Sequence, residues 1–571
     1  MKIGSNYLGE GKCRFVVWAP FSNDVKVKII FPKDRTIPMN KGESGYWKAL
    51  DKNIPPETQY YYQLDEEICR PDPASNYQPE GVHGPSQVID HESFKWDDKD
   101  WDNIPLSDMI IYEIHIGTFS SEGTFNSVIP RLNDLKDLGI NAIEIMPVAQ
   151  FPGERNWGYD GAYPFAVQNS YGGHEGLKKL VNVCHKKEIA VILDVVYNHL
   201  GPEGNYLRDF GPYFTDKYET PWGEAMNFDC AYSDDVRNFF IENALYWFSD
   251  FHIDALRLDA IHAIFDMSAK PFLRELSEKV KEFSSKMDRD YYLIAENDLN
   301  DVKTVKSVKD GGFGLDVQWL DDFHHSLHAL LTQEDRGYYT DFGDIDHLVK
   351  GFKEGFVYSW DYSKYRKRRH GSSSEDIPAH RFIAFSQNHD QVGNRTLGER
   401  LPDLVSFEKL KLAAGTVFLS PYIPLLFMGE EYGEESPFLY FISHSDQELI
   451  ESVREGRRKE FEDFDWEDEP PDPQRSETFQ SSKIDWRKRK KGKNKTLLEF
   501  YKKLISLKKI KPALSNLDKK KMEIVGNTEK EILFLKRWEK NKIRWLWVLG
   551  LIFGWFFLGT IGPIIVLVGY Y

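Results

Sequence analysis

From Asp108 onward the chain repeats one pattern: an apolar run of strand length, a polar loop, then an amphipathic stretch of helix length. The strand runs are Met109 to Ile116, Ala142 to Pro147, Ala190 to Val196, Ile253 to Leu258, Tyr291 to Ala295, Gly314 to Trp319, Arg381 to Ser386 and Ile423 to Met428. Helical periodicity fills the gaps, as in Ser127 to Leu138, Gly173 to Lys187, Asp234 to Phe251, Lys270 to Lys286 and Asp341 to Lys353. Such apolar strands need cover on both faces, and parallel neighbours need a long crossover, which the helices supply. Eight units predict an α/β fold, a (β/α)8 TIM barrel over residues 105–490, with its working groups at the C-terminal ends of the strands.

The flanks follow other rules. In residues 1–90, short alternating runs such as Cys13 to Ala19, Asp24 to Phe31, Gly45 to Leu50 and Gln59 to Leu64 are separated by Pro and Gly, which predicts a small β-sandwich. Pro71 to Pro85 reads as a linker without packing period. Beyond Glu430 come an acidic loop (FDWEDEPPDP), a basic run from Arg487 to Lys495 read as solvated, and a helix from Leu497 to Lys508. Met522 to Val525 and Ile532 to Arg537 then begin a β-domain, so 491–544 reads as a helix plus an incomplete, truncated C-terminal β-domain. Trp545 to Tyr571 carries no charge and follows Lys540, Lys542 and Arg544. It is either a membrane span with the body of the chain on the cytoplasmic side, and then the only point of membrane contact, or a coding sequence read out of frame. Open strand edges in a β-domain cut short favour the second.

Composition narrows the partners. A formal charge of -17 over 571 residues disfavours nucleic acid, since phosphate binding rests on clustered Lys and Arg. Aromatic residues at 14% suit sugar faces as well as core packing. Cys13, Cys69, Cys184 and Cys230 form no CxxC pair, so neither a disulfide framework nor a zinc site is expected, and no apolar signal core opens the chain. A cytoplasmic setting follows, with oligomeric state left open.

The strand ends carry the chemistry. HIDALRLDAIH places Arg257 two residues before Asp259 at the end of an apolar strand, where unpaired charge is costly. DVVYNH contributes Asp194 and His199, IAEND contributes Glu296, DDFHH contributes Asp321 to His325, and SQNHD contributes His389 and Asp390. Carboxylates converging on one barrel mouth repel unless they act together. Glycoside hydrolysis uses them in that way, one carboxylate attacking or stabilising the anomeric carbon while a protonated acid delivers a proton to the leaving oxygen. Arg257 would keep Asp259 anionic, and a less compensated Glu296 would have its pKa raised and serve as the acid. A hard-cation site is the competing use, opposed by Arg257 and the histidines crowding the same rim. No metal and no cofactor are expected. Taken singly, Asp194 reads as a structural partner, Tyr159 equally as a core aromatic, His199 and His262 as rim histidines, and DDFHH as a helix N-cap.

In order and spacing, DVVYNH, ALRLDAIH, IAEND and FSQNHD resemble the four strand-end regions of the α-amylase family of glycoside hydrolases. Their context, including YEIHIGTFSSEGTF, GERNWGYDGAYPFAVQNSYGG and FMGEEYGEESPFLYFISH, resembles one subgroup, the trehalohydrolases acting on maltooligosyl trehalose, from about Phe15 to Leu507. The resemblance implies a carbohydrate-binding-like N-terminal sandwich and assigns roles: Asp259 nucleophile, Glu296 proton donor and base, Asp390 transition-state stabiliser. Arg257 would orient Asp259, His199 and His389 would bond sugar hydroxyls, and Tyr159 would stack on the ring. Leu258, Ala260, Ile261, His262, Asp321, Asp322, Phe323, His324, His325, Gln391, Val392, Gly393 and Asn394 would line the sites beside the scissile bond. The implied reaction is retaining hydrolysis of the α-1,4 bond next to a terminal trehalose. The substrate would be maltooligosyl trehalose or a related α-1,4-glucan. A glycogen-branching transglycosylase and a non-catalytic, membrane-held amylase-like interaction protein are the alternatives. The tail departs from the family pattern, which continues with charged, alternating strands.

Overall fold

A computed structural model describes residues 2–65, 68–462, 469–529, 531–539, 546–552 and 566–570. Eight parallel strands close into a barrel: β1 (Ile111–Ile114), β2 (Ala142–Ile145), β3 (Ala190–Val195), β4 (Ala255–Leu258), β5 (Tyr292–Ala295), β6 (Val317–Trp319), β7 (Phe382–Ala384) and β8 (Ile423–Phe427). Each lies inside its predicted run, and β8 pairs back onto β1 through Leu425 opposite Ile111. Every residue of these strands except Tyr292 is buried, as parallel strands sandwiched between an apolar interior and covering helices must be. The helices Gly173–Lys186, Ser233–Asp250, Phe272–Met287 and Ile345–Lys353 stand close to the expected positions.

The N-terminal part is a sandwich of two antiparallel sheets, with Phe15 of one packed edge-on against Tyr60 of the other at 4.9 Å between ring centroids. It rests on the segment after β3, where Trp18 meets Tyr213 at 5.1 Å and Tyr62 meets Phe210 at 6.2 Å. Pro71 to Pro85 is no loose linker. Asp72, Ser75 and Gln78 are buried there, and Asp72 accepts from Tyr60 Oη at 2.6 Å and Ala74 N at 2.8 Å. Its polarity misleads because those groups are satisfied inside the protein.

Two C-terminal expectations also change. The run from Arg487 to Lys495 is only partly solvated: Arg489 is buried and pairs with Asp134 at 2.6 Å, Lys488 reaches the buried Glu434 at 2.9 Å, and the helix Gly492–Ile510 takes up the rest. In the apolar tail, Leu546–Ile552 pairs antiparallel with Ile532–Arg537, and Val566–Tyr570 pairs with Leu546–Ile552, making a four-stranded sheet. Among the described residues no helix is long and apolar enough to cross a membrane. Lys540, Lys542 and Arg544, residues 553–565 of the tail and residues 464–468 of the acidic loop lie outside the described residues.

Candidate active site

The site grows from β4. Its four residues are buried, and Arg257 rises from it with no surface at all, its guanidinium 4.5 Å above the centre of the Trp319 ring on β6. Register sets Arg257 beside Asp194 of β3. Arg257 Nη1 donates to Asp194 Oδ2 at 2.7 Å and to Asp259 Oδ1 at 2.9 Å, while Nη2 lies 3.6 Å from Glu296 Oε2 and 3.9 Å from Asp390 Oδ2. One buried cation therefore collects carboxylates from the ends of β3, β4 and β5 and from the helix that follows β7.

Local backbone aims them. Directly after Asp259, Ala260 takes a left-handed conformation (φ 38°), which costs a residue with a Cβ roughly 1–2 kcal/mol and is found at functional sites. That turn points the Ala260 N–H at Glu296 Oε2, 2.5 Å away. Asn198 Nδ2 holds Asp259 from the other side, donating to Oδ2 at 2.7 Å and to the backbone carbonyl at 2.8 Å. Asp390 sits in the first turn of the helix His389–Gly393, which Asn388 caps by accepting from Gln391 N at 2.8 Å. Its side chain is 36% exposed, against 12% for Asp259 and 13% for Glu296, so the three acids run from a dry floor to a wet rim.

Environment separates their roles. Burial raises the Glu296 carboxyl above its ordinary value, Arg257 works against that rise, and the negative charge of Asp259 adds to it. Burial opposes a charge on His389, but Asp390 and Glu113 bring it up to about 9. A charged His389 fits its contacts: Nδ1 donates to Glu113 Oε1 at 2.5 Å and Nε2 to the Tyr159 hydroxyl at 2.6 Å. The Tyr159 hydroxyl donates in turn to Asp194 Oδ2 at 2.7 Å, and its ring lies near-parallel to His389 at 5.4 Å. Among the described residues no group of three or more His, Cys, Asp or Glu could hold a metal.

The other predicted residues have contacts of their own. His199 lies under the exposed Trp222, the rings parallel to within 4° at 4.4 Å, with its nitrogens 2.5 Å from Asn198 Oδ1 and 3.1 Å from Tyr159 O. His262 is half-buried and accepts from Asp298 N at 3.4 Å. Asp321 heads the helix Asp321–Thr332, whose cap residue is Leu320 with no side-chain bond; burial and the nearby Glu296, Asp298 and Asp390 raise its carboxyl well above the usual range. The residues that follow have these contacts within the protein. Asp322 accepts from Asn300 Nδ2 at 2.7 Å and from the N–H groups of Val357 and Tyr358 at 2.7 and 3.0 Å. Phe323 packs on Phe352 and Tyr422, His324 lies 2.9 Å from Ser386 O, and His325 packs against Tyr338 and Phe342. Leu258, Ala260, Ile261 and Val392 are buried. Gly393 packs so close to Trp157 that a Cβ would come within 2.1 Å of it, and Arg457 Nη2 donates to its carbonyl at 3.1 Å. Gln391 and Asn394 stay at the rim, with Asn394 Nδ2 3.5 Å from Asp390 Oδ1. Sequence reasoning missed Asn198, Glu113 and Trp319. Glu113 stands as a lone charge in the apolar run Met109 to Ile116, the same signal that marked Arg257.

Comparison with known proteins agrees with this geometry. Residues 89–220 match the α-amylase catalytic domain, and residues 2–75 match carbohydrate-binding module 48, the isoamylase N-terminal domain. Closed parallel barrel, sandwich and strand-end acids together define an α-amylase-type glycoside hydrolase. The chain is 51% identical to the malto-oligosyltrehalose trehalohydrolase of Saccharolobus solfataricus over 88% of this chain and 86% of that protein. It is 43% identical to the enzyme of the same description from Arthrobacter ramosus over 87% of both. The crystal structure of a putative α-amylase from Salmonella typhimurium superposes with a TM-score of 0.89 at 37% identity, covering 96% of this chain and 93% of that one. The chain belongs to the malto-oligosyltrehalose trehalohydrolase family.

Proposed function

We propose that this enzyme hydrolyses, with retention, the α-1,4 bond next to the terminal trehalose of maltooligosyl trehalose and releases trehalose. The observation that carries the catalytic reading is the single buried Arg257 within 4 Å of Asp259, Glu296 and Asp390; the substrate comes from the family. Asp259, gripped by Arg257 and Asn198, attacks the anomeric carbon. Glu296, kept protonated by burial and by its anionic neighbour, protonates the leaving oxygen and then takes a proton from the attacking water. Asp390, on the open rim beside His389, bonds sugar hydroxyls as the oxocarbenium-like transition state develops. With every acid of the trio in place, a non-catalytic interaction protein is disfavoured. The reading includes a reducing, cytoplasmic setting, in keeping with four unpaired cysteines, and domain limits near residues 90 and 490. Incubating the chain with maltooligosyl trehalose should yield free trehalose and a shortened glucan. New branch points with no free trehalose would identify a branching enzyme instead.

A further inference from the structure

Below the three acids the barrel interior holds charge that the proposed reaction does not use. Glu144 of β2 is the register partner of Glu113 on β1 and is buried. Around it stand Glu113, Arg257 of β4, Asp194 of β3 and His389 of the helix after β7. Glu113 is spoken for, since its oxygens take the His389 N–H at 2.9 Å and the ring Nδ1 at 2.5 Å. Glu144 is not: neither of its oxygens has a hydrogen-bond partner among the described residues. The same holds for Asp194 Oδ1, Arg257 Nε and Nη2, and Trp319 Nε1. Buried polar atoms are seldom left unpaired, and here acceptors and donors occur together inside one barrel.

Protonation state follows from those neighbours. An ionised Glu144 would meet the like charges of Glu113 and Asp194 in a buried setting, and burial followed by Glu113 pushes its carboxyl well above the usual range. A neutral carboxylic acid has one donor and one acceptor, which are the two kinds of partner lacking at Asp194 Oδ1 and at Arg257 Nε. A structural filler would need neither.

We propose that Glu144 is a positioning residue: through bridging water it donates toward the unpaired oxygen of Asp194 and accepts from the unpaired Nε–H of Arg257, and so fixes the guanidinium that aligns Asp259, Glu296 and Asp390. The inference rests on the catalytic roles proposed above. It assigns Glu144 no contact with sugar, so its loss acts on the chemical step and leaves substrate binding alone.

Glu144→Gln, which keeps a donor and an acceptor, and Glu144→Met, which keeps only the shape, separate positioning from packing. Each is assayed for kcat, KM and thermal midpoint beside the wild-type chain, on maltooligosyl trehalose and on maltoheptaose. Glu144→Gln should keep kcat within about threefold, while Glu144→Met loses roughly tenfold or more in kcat with KM held within about twofold. A Glu144→Met protein with wild-type kcat overturns the proposal, as does one whose KM rises in step with a lost midpoint. If Glu144→Met does not fold, Glu144→Gln decides: kcat near wild type with an alkaline limb at or above the wild-type one supports the role. A loss beyond tenfold, or a limb shifted to lower pH, refutes it. A wild-type chain that cleaves maltoheptaose but frees no trehalose would sink the substrate reading, and the Glu144 comparison would still be read on maltoheptaose.

Discussion

The two ends of β4 carry the same kinds of residue and do opposite work. At its N-terminal end Asp254 is fully buried, and each oxygen has two donors: Trp101 Nε1 at 2.8 Å and Arg289 Nη2 at 2.5 Å on Oδ1, His185 Nε2 at 2.9 Å and Val191 N at 2.7 Å on Oδ2. Asp98, in the segment leading from the sandwich, completes the cluster through His185 at 2.7 Å and His252 at 2.8 Å. At the C-terminal end Asp194, Asp259, Glu296 and Asp390 share one guanidinium, two nitrogens of which make no hydrogen bond among the described residues. An aspartate whose two oxygens each accept two hydrogen bonds fastens the barrel to the chain before it. An unsaturated cluster keeps groups in states that only a substrate or a proton transfer resolves.

This contrast can be broken from either end. Asp259→Asn should lower kcat by roughly 10⁴-fold or more, as loss of a nucleophile does, while the thermal midpoint stays level or rises because a repelling charge has gone. A midpoint several degrees lower would mean that the upper cluster is structural too. Glu296→Gln should cost about 10²–10⁴-fold in kcat, the usual worth of a general acid. A substrate with a leaving group that needs no proton, such as a 2,4-dinitrophenyl maltooligoside, should recover much of the first step; no recovery would remove Glu296 from the acid role. Asp254→Asn should destabilise by about 3–5 kcal/mol, the usual result of breaking a buried ion pair, with kcat unchanged in the folded fraction. Urea titration gives the first quantity and assay at low urea the second, and a fall in kcat at intact fold would couple the two ends.

The smallest effects come from pH. Burial alone would raise Asp254 and Asp98, but His185 and Arg289 beside the first, and His185 and His252 beside the second, outweigh it and lower both. Burial would lower His185, yet Asp254 and Asp98 raise it. The carboxylates therefore stabilise the fold above about pH 4 and lose that contribution as pH falls. The histidine contributes fully below about pH 6.5 and less as pH rises through its own elevated pKa. The thermal midpoint should peak between those limits and flatten in Asp254→Asn. Activity should follow a bell whose alkaline limb, set by the raised Glu296, lies above the ordinary glutamate range; a limb that stays put in Glu296→Gln would assign it to another group.

How much of this was legible depends on distance along the chain. Local periodicity placed all eight strands, because an apolar run between helical stretches has one economical use in a parallel barrel. Asp259, Glu296 and Asp390 were legible because each ends such a run. The contacts of Asp322 were not: its partners, the N–H groups of Val357 and Tyr358, arrive from a loop far downstream. Arg489 and the segment Pro71 to Pro85 misled for the same reason, since polarity counts as exposure only until a distant partner is known.

The sequence by itself determined the barrel, the order of its strands and the acids at their ends, all of which follow from residue type and short spacing. Only the tertiary structure decided which charges are spent and which are free. Arg257 could have been one half of a pair with Asp259; barrel closure made it the hub of four carboxylates, with Trp319 beneath it. The described strands of the tail show the same dependence. Hydropathy says that Leu546 to Ile552 avoids water but not what covers it, and the open edge of Ile532–Arg537 takes it up as a strand.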